Sequence, residues 1–138
     1  MKLRSATQSD ANQIYMIAKT AFQRNLLPME LLEQHLAADR VHYLINEEQT
    51  AFLSYTKFFD EAELDLIAVQ PGLQGQGLGQ AVLEEWLKNL GSCRVLLEVA
   101  ENNIRARNLY LKFGFSAYHE RKNYYPDGQT AILMEKKQ

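Results

Sequence analysis

Val69-Gln70-Pro71-Gly72-Leu73-Gln74-Gly75-Gln76-Gly77-Leu78-Gly79 is the stretch on which the reading of this chain turns. Before it, Leu64-Asp65-Leu66-Ile67-Ala68-Val69 reads as a strand; after it, Leu78, Val82, Leu83, Trp86 and Leu87 fall at helical spacing. Four glycines lie within eight residues. Without Cβ atoms such a loop turns its backbone amides inward and lets a ligand approach closely. Those amides, with the positive end of the following helix, make a site for phosphate groups.

The spacing excludes two common phosphate loops. A nucleoside-triphosphate loop needs a lysine after its last glycine, and neither Gly77 nor Gly79 is followed by one. The dinucleotide fingerprint Gly-x-Gly-x-x-Gly fails at Gln80, and about seventy residues precede the loop instead of a first strand. What remains is Gln-x-x-Gly-x-Gly, formed by Gln74, Gly77 and Gly79. The alternative is a glycine-rich turn that only starts a helix.

Outward from the loop, the chain reads as one domain over its 138 residues. Charged residues make up 23% and hydrophobic ones 46%, a globular balance. The formal net charge of −2 disfavours non-specific nucleic-acid binding. Cys93 is the single cysteine, so no internal disulfide forms and a reducing cytoplasm is the expected compartment. No apolar run approaches the roughly 18 residues of a membrane span, and Met1 to Thr7 lacks a signal-peptide core. His35, His42 and His119 share no metal-ligand spacing with one another or with Cys93, so no metal is expected. The lone cysteine, beside Arg94, is a weak candidate nucleophile.

The first strand leads through Ser9-Asp10, read as a cap, into a helix with Ile14, Ile17, Ala18 and Phe22 on one face. Pro28 opens a second helix carrying Leu31, Leu32, His35 and Leu36. Strands follow at Val41 to Ile45 and Ala51 to Phe59, then the strand before the glycine loop. The loop helix ends near Gly91, and Arg94 to Ala100 is a strand. Asn102 or Asn103 caps a helix that reaches Phe113, and Gly114 ends it. Two closing strands, Ser116 to Tyr124 and Thr130 to Glu135, flank the Tyr-Pro-Asp-Gly turn. The order β-α-α-β-β-β-α-β-α-β-β predicts an α+β layered domain.

Glu98 is the anomaly of the fifth strand. A strand between two helical segments is expected to be buried on both faces. A carboxylate there needs a partner or a raised pKa, and an ion pair with a nearby lysine or arginine is the plain alternative. Tyr110 lies beside Ala106, Leu109 and Phe113 on the next helix, where a half-buried core tyrosine is the default reading.

Together these segments resemble the GCN5-related N-acetyltransferase superfamily. The glycine loop resembles its acetyl-coenzyme A loop. Leu97-Glu98-Val99, Asn103, Ala106, Leu109-Tyr110 and Phe113-Gly114-Phe115 resemble its second signature, about 25 residues downstream. Within it, the spacing from Glu98 to Asn103 and Tyr110, and the Arg121-Lys122-Asn123-Tyr124-Tyr125-Pro126 stretch, are similar to bacterial ribosomal-protein-alanine N-acetyltransferases. The resemblance covers roughly Leu64 to Met134. It implies a mixed, mostly antiparallel sheet of about seven strands with helices on both faces.

The resemblance also implies roles. Acetyl-coenzyme A would be the co-substrate. Backbone at Ile67, Ala68 and Val69 would hold its pantetheine arm, between the strands ending at Val69 and Ala100. Gln74, Gly75, Gln76, Gly77, Leu78 and Gly79 would hold the pyrophosphate, and Asn103 and Tyr110 would also meet the coenzyme. Glu98 would be general base, Tyr110 general acid, and Tyr124 and Tyr125 would lie beside the acceptor. That acceptor is a protein or peptide N-terminus or, as the rival reading, a small amine such as an amino acid, polyamine or antibiotic. A sensor that binds acetyl-coenzyme A without turnover, or an adaptor subunit, is the non-enzymatic alternative. Neither nucleic acid nor membrane is expected as a partner, and the chain is expected to act as a monomer or homodimer. Two departures stand out: Gln74 occupies a position often held by arginine, and Thr130 one commonly held by an acid.

Overall fold

The computed structural model describes residues 1–22 and 26–138. Its strands run in the order β1-β2-β3-β4-β5-β7-β6 in a seven-stranded sheet. They are β1 (Leu3–Ser5), β2 (Val41–Asn46), β3 (Ala51–Phe58), β4 (Glu61–Val69), β5 (Arg94–Ala100), β6 (Ser116–Arg121) and β7 (Ala131–Lys137). The helices are α1 (Ala11–Phe22), α2 (Met29–Ala37), α3 (Leu78–Leu90) and α4 (Ile104–Lys112). The chain divides into two compact units, one of residues 1–57 and 65–90, the other of residues 58–64 and 91–138.

In the first unit, β1, β2 and β3 form an antiparallel meander with Leu3 opposite Asn46 and Ile45 opposite Phe52. The turn after β2 is set by Asn46, whose buried side-chain oxygen accepts from the N–H groups of Thr50 and Ala51 at 2.9 and 3.0 Å. Ile14, Ile17 and Ala18 of α1 pack with Leu32, Tyr43, Ile45, Phe52 and Ala68. The helical spacing of the apolar residues on α1 therefore buries the face the sequence indicates. On α2 only Leu32 is fully buried, while Leu31 is exposed. Val82, Leu83, Trp86 and Leu87 are the buried stripe of α3.

Asp10 does not cap α1 in the simple way expected. Thr7 to Asp10 closes a short 3-10 turn, with the Thr7 N–H donating to Asp10 Oδ2 at 2.8 Å. Both Asp10 oxygens take the Arg4 guanidinium at 2.8 Å.

In the second unit, β4 and β5 are parallel, with Glu61, Ala62 and Glu63 opposite Arg94, Val95 and Leu96. β5 and β7 are antiparallel over their whole length, and Glu98 faces Leu133 across the ladder. β6 lies outside β7, exposed along every residue, with a bulge between Ala117 and His119. Arg94 anchors the start of β5 through Glu61 at 3.0 Å and Glu135 at 2.8 Å.

The expectation that β5 is buried on both faces is wrong. Val95, Leu97 and Val99 are buried, Arg94, Leu96 and Ala100 are half-buried, and Glu98 is exposed. Continuous burial belongs to strands inside all-parallel sheets, and β5 has one parallel and one antiparallel neighbour. The continuous apolar run is instead Ala131 to Met134 of β7, all four buried.

Candidate active site

The glycine loop belongs to the first unit. β4 ends at Val69, and Pro71–Leu73 make a 3-10 turn before α3 begins at Leu78. Gly75 and Gly77 both sit at φ +81°, the left-handed region that glycine enters at little cost. A Cβ placed on Gly77 meets nothing within 4 Å, so the loop faces open space there. Gly79 has no positive φ, and its Cβ would touch only Val69 Cγ2 at 3.6 Å. The first helical bond runs from Ala81 N–H to the Gly77 carbonyl, and a helix start leaves its leading amides without partners in the helix. The open approach at Gly77, beside the leading amides of α3, suits phosphate oxygens. Gln74 stays exposed and folds back on the end of β4, its amide donating to the Val69 carbonyl at 3.1 Å. Of the residues expected to meet the pantetheine arm, Ala68 is buried, and Ile67 and Val69 are half-buried.

The titratable candidates belong to the second unit. Among the described residues Glu98 makes no ion pair with lysine or arginine; its Oε1 accepts from the Tyr125 hydroxyl at 3.1 Å. Burial, then the Glu98 hydrogen bond and charge, push the Tyr125 hydroxyl up to about 12. Tyr124 is exposed and meets the Tyr125 ring edge-on at 5.3 Å between centroids, with the Arg121 guanidinium 5.5 Å from its ring.

Asn103 caps α4, its side chain accepting from the Ala106 N–H at 3.3 Å. That bond occupies the oxygen and leaves the NH2 to meet a ligand. Tyr110 stands seven residues further along, two turns on and on the same side of the helix. Its ring is buried against Phe115 at 5.8 Å, and burial pushes its hydroxyl up to about 12. That hydroxyl has no hydrogen-bond partner among the described residues. Such a group carries its proton throughout the physiological range.

Thr130, where an acid is common in the resembled family, is bonded to a carboxylate: its N–H donates to Glu101 Oε1 at 3.3 Å. Cys93 is buried. Among the described residues no group of three His, Cys, Asp or Glu side chains could hold a metal, and no helix is long and apolar enough to cross a membrane.

Residues 9–115 match the model of the Acetyltransferase (GNAT) family. The chain belongs to that family. A putative [ribosomal protein bS18]-alanine N-acetyltransferase of Bacillus subtilis is 30% identical over 97% of this chain and 96% of its own length. The [ribosomal protein bS18]-alanine N-acetyltransferase of Escherichia coli K12 is 42% identical over 64% of each chain. The crystal structure of the ribosomal-protein-S18-alanine N-acetyltransferase from Escherichia coli superposes with a TM-score of 0.87 at 32% identity, covering 99% of this chain and 92% of that one. The expected GNAT fold and N-acetyltransferase class therefore hold, and acetyltransferases of this family use acetyl-coenzyme A.

Sequence reasoning found Glu98 and Tyr125 separately but not their contact. They lie 27 residues apart, and neither periodicity nor motif spacing pairs a strand carboxylate with a distant loop hydroxyl.

Proposed function

We propose that residues 1–138 work as a single N-acetyltransferase domain that moves acetyl from acetyl-coenzyme A to the N-terminal α-amine of a protein, foremost a ribosomal protein beginning with alanine. The observation that carries this reading is Glu98, an exposed carboxylate on β5 with one oxygen bonded to Tyr125 and no further polar partner among the described residues. The names of the Bacillus and Escherichia relatives support the acceptor.

Gln74 to Gly79 would hold the pyrophosphate on backbone amides, and backbone at Ile67 to Val69 would bond the pantetheine arm as an added strand does. The Asn103 NH2 would also meet the coenzyme, which supplies the acetyl thioester. The amine nitrogen attacks the thioester carbonyl, so that a C–N bond forms and the C–S bond breaks. Glu98 takes the nitrogen's proton, directly or through water, and the Tyr110 hydroxyl donates to the departing sulfur. Tyr124 and Tyr125 would line the acceptor.

Acid–base magnitudes favour an α-amine. Its pKa is near 7.7–8.0 against about 10.4 for lysine, so roughly a tenth is neutral at pH 7, against well under a thousandth of lysine. A carboxylate is an adequate base for the first and a weak one for the second.

Mass spectrometry of a peptide with N-terminal alanine and an internal lysine, incubated with the protein and acetyl-coenzyme A, tests the proposal. Acetyl on the α-amine is expected. Coenzyme binding with an unmodified peptide, or acetyl on the lysine, overturns the acceptor and moves the search to small amines.

A further inference from the structure

The bond between Tyr125 and Glu98 joins two groups to which the family resemblance gives separate tasks, one at the acceptor and one at its proton. We propose that Tyr125 is a positioning residue for Glu98: its hydroxyl fixes Oε1 and leaves Oε2 to receive the proton of the attacking amine. This rests on the reading of Glu98 as base.

An exposed glutamate has three side-chain torsions to lose before it can act from one place. Nothing else polar among the described residues holds Glu98; the 3.1 Å bond from Tyr125 is its single tether. A tether is useful only if its own anchor is fixed, and this one is. The N–H groups of Tyr124 and Tyr125 both donate to the Gln129 carbonyl, at 3.1 and 3.2 Å, and the Gly128 N–H returns a bond to the Tyr125 carbonyl at 2.8 Å. Gly128 sits at φ +84°, which closes this tight loop at the cost glycine bears best.

The loop is tied in turn to the end of β5. Glu101 N–H donates to the Thr130 carbonyl at 3.0 Å, and Asn102 N–H to Gln129 Oε1 at 3.4 Å. The tyrosine that holds Glu98 is thus fastened to the strand that carries Glu98, three and four residues further on. Because its hydroxyl keeps its proton, Tyr125 serves as a donor and does not compete for the amine's proton.

The alternative is that Tyr125 acts only by touching the acceptor. A double-mutant cycle separates the two. Turnover of the alanine peptide by Tyr125→Phe is expected to fall about 5- to 30-fold at saturating substrate, with the peptide KM within about twofold of wild type. In Glu98→Gln the same change is expected to cost less than about twofold, because the basic carboxylate through which it acts is gone. Tyr124→Phe, whose ring meets Tyr125 and whose hydroxyl has no bond to Glu98 among the described residues, should multiply with Glu98→Gln. A raised KM with unchanged kcat, or an undiminished factor in the Glu98→Gln background, overturns the inference alone. Wild-type turnover in Glu98→Gln overturns the base assignment and the inference with it.

A readout that needs no acceptor is the titration of 13C-labelled Tyr125 by NMR. The groups facing its hydroxyl are Glu98 and Tyr124. Loss of the Glu98 charge should move the titration to lower pH in Glu98→Gln, which keeps an acceptor oxygen; an unmoved titration overturns the tether.

Discussion

Glu101 and Thr130 are bonded in both directions: the Glu101 N–H donates to the Thr130 carbonyl at 3.0 Å, and the Thr130 N–H donates to Glu101 Oε1 at 3.3 Å. The pair closes the base of the loop that carries Tyr124 and Tyr125. Glu101→Gln keeps an acceptor oxygen and should alter stability little. Glu101→Ala removes it and should cost about 0.5–1 kcal/mol, with turnover down about two- to tenfold as the loop loosens. Thermal melting and kcat of the two variants check this. Equal behaviour would mean that the side-chain bond does not hold the loop.

Tyr110 and Glu98 separate chemistry from folding. The Tyr110 hydroxyl has no partner among the described residues, so Tyr110→Phe keeps the ring against Phe115 and should leave the melting temperature nearly unchanged. Turnover should nevertheless fall roughly 10- to 1,000-fold in Tyr110→Phe and in Glu98→Gln, with acetyl-coenzyme A still bound. Unchanged turnover in both would defeat the acid–base assignment. Since burial holds the Tyr110 hydroxyl near 12, any loss of activity between pH 8 and 10 should survive in Tyr110→Phe.

Gly77 and Gly79 make different demands. Gly77 needs φ +81° with open space beyond it, so Gly77→Ala should cost about 1–2 kcal/mol of backbone strain and weaken coenzyme binding with it. Gly79 needs no special torsion, and an added methyl would only touch Val69 at 3.6 Å. Gly79→Ala should therefore fold normally, yet bind acetyl-coenzyme A at least several-fold more weakly if phosphate oxygens approach the helix start. Melting curves with calorimetric titration of the coenzyme test both. Unchanged affinity in Gly79→Ala would place the phosphates elsewhere.

Local chemistry made most of the fold legible. Ile14, Ile17 and Ala18 repeat at helical spacing and are buried; Pro28, Gly91 and Gly114 punctuate the chain where helices start or end. Glu98 was legible as an anomaly but for a mistaken reason. Its flanking helices suggested two-sided burial, whereas strand order, a property of distant segments, placed β7 on its other side and left the carboxylate exposed. Asp10 likewise read as a cap, because pairing with Arg4 depends on how β1 returns past the turn. Tyr125 and Glu98 were visible as residues and invisible as a pair, since a side-chain bond across 27 residues has no period.

Arg4 and Asp10 give the fold a pH dependence whose sign is set. Asp10 is 2% exposed. The Arg4 hydrogen bond, aided by the Thr7 N–H, holds its carboxyl down at about 2 from an ordinary value of 3.8. Because the folded pKa is the lower one, the stabilisation is complete above the unfolded value near 3.9 and is lost as pH falls towards 2. At 1.36 kcal/mol for each pH unit of difference, the pair is worth about 2 kcal/mol, an upper figure because Arg4 is partly in water. Urea unfolding at pH 7 and pH 3 should therefore show a fall in stability that is smaller in Asp10→Asn by about 1 kcal/mol, since about half of the stabilisation remains at pH 3, above the folded value. The variant should also be less stable at pH 7, since its amide cannot accept both guanidinium bonds. An identical pH dependence in wild type and Asp10→Asn would show that other carboxylates govern the acid limb.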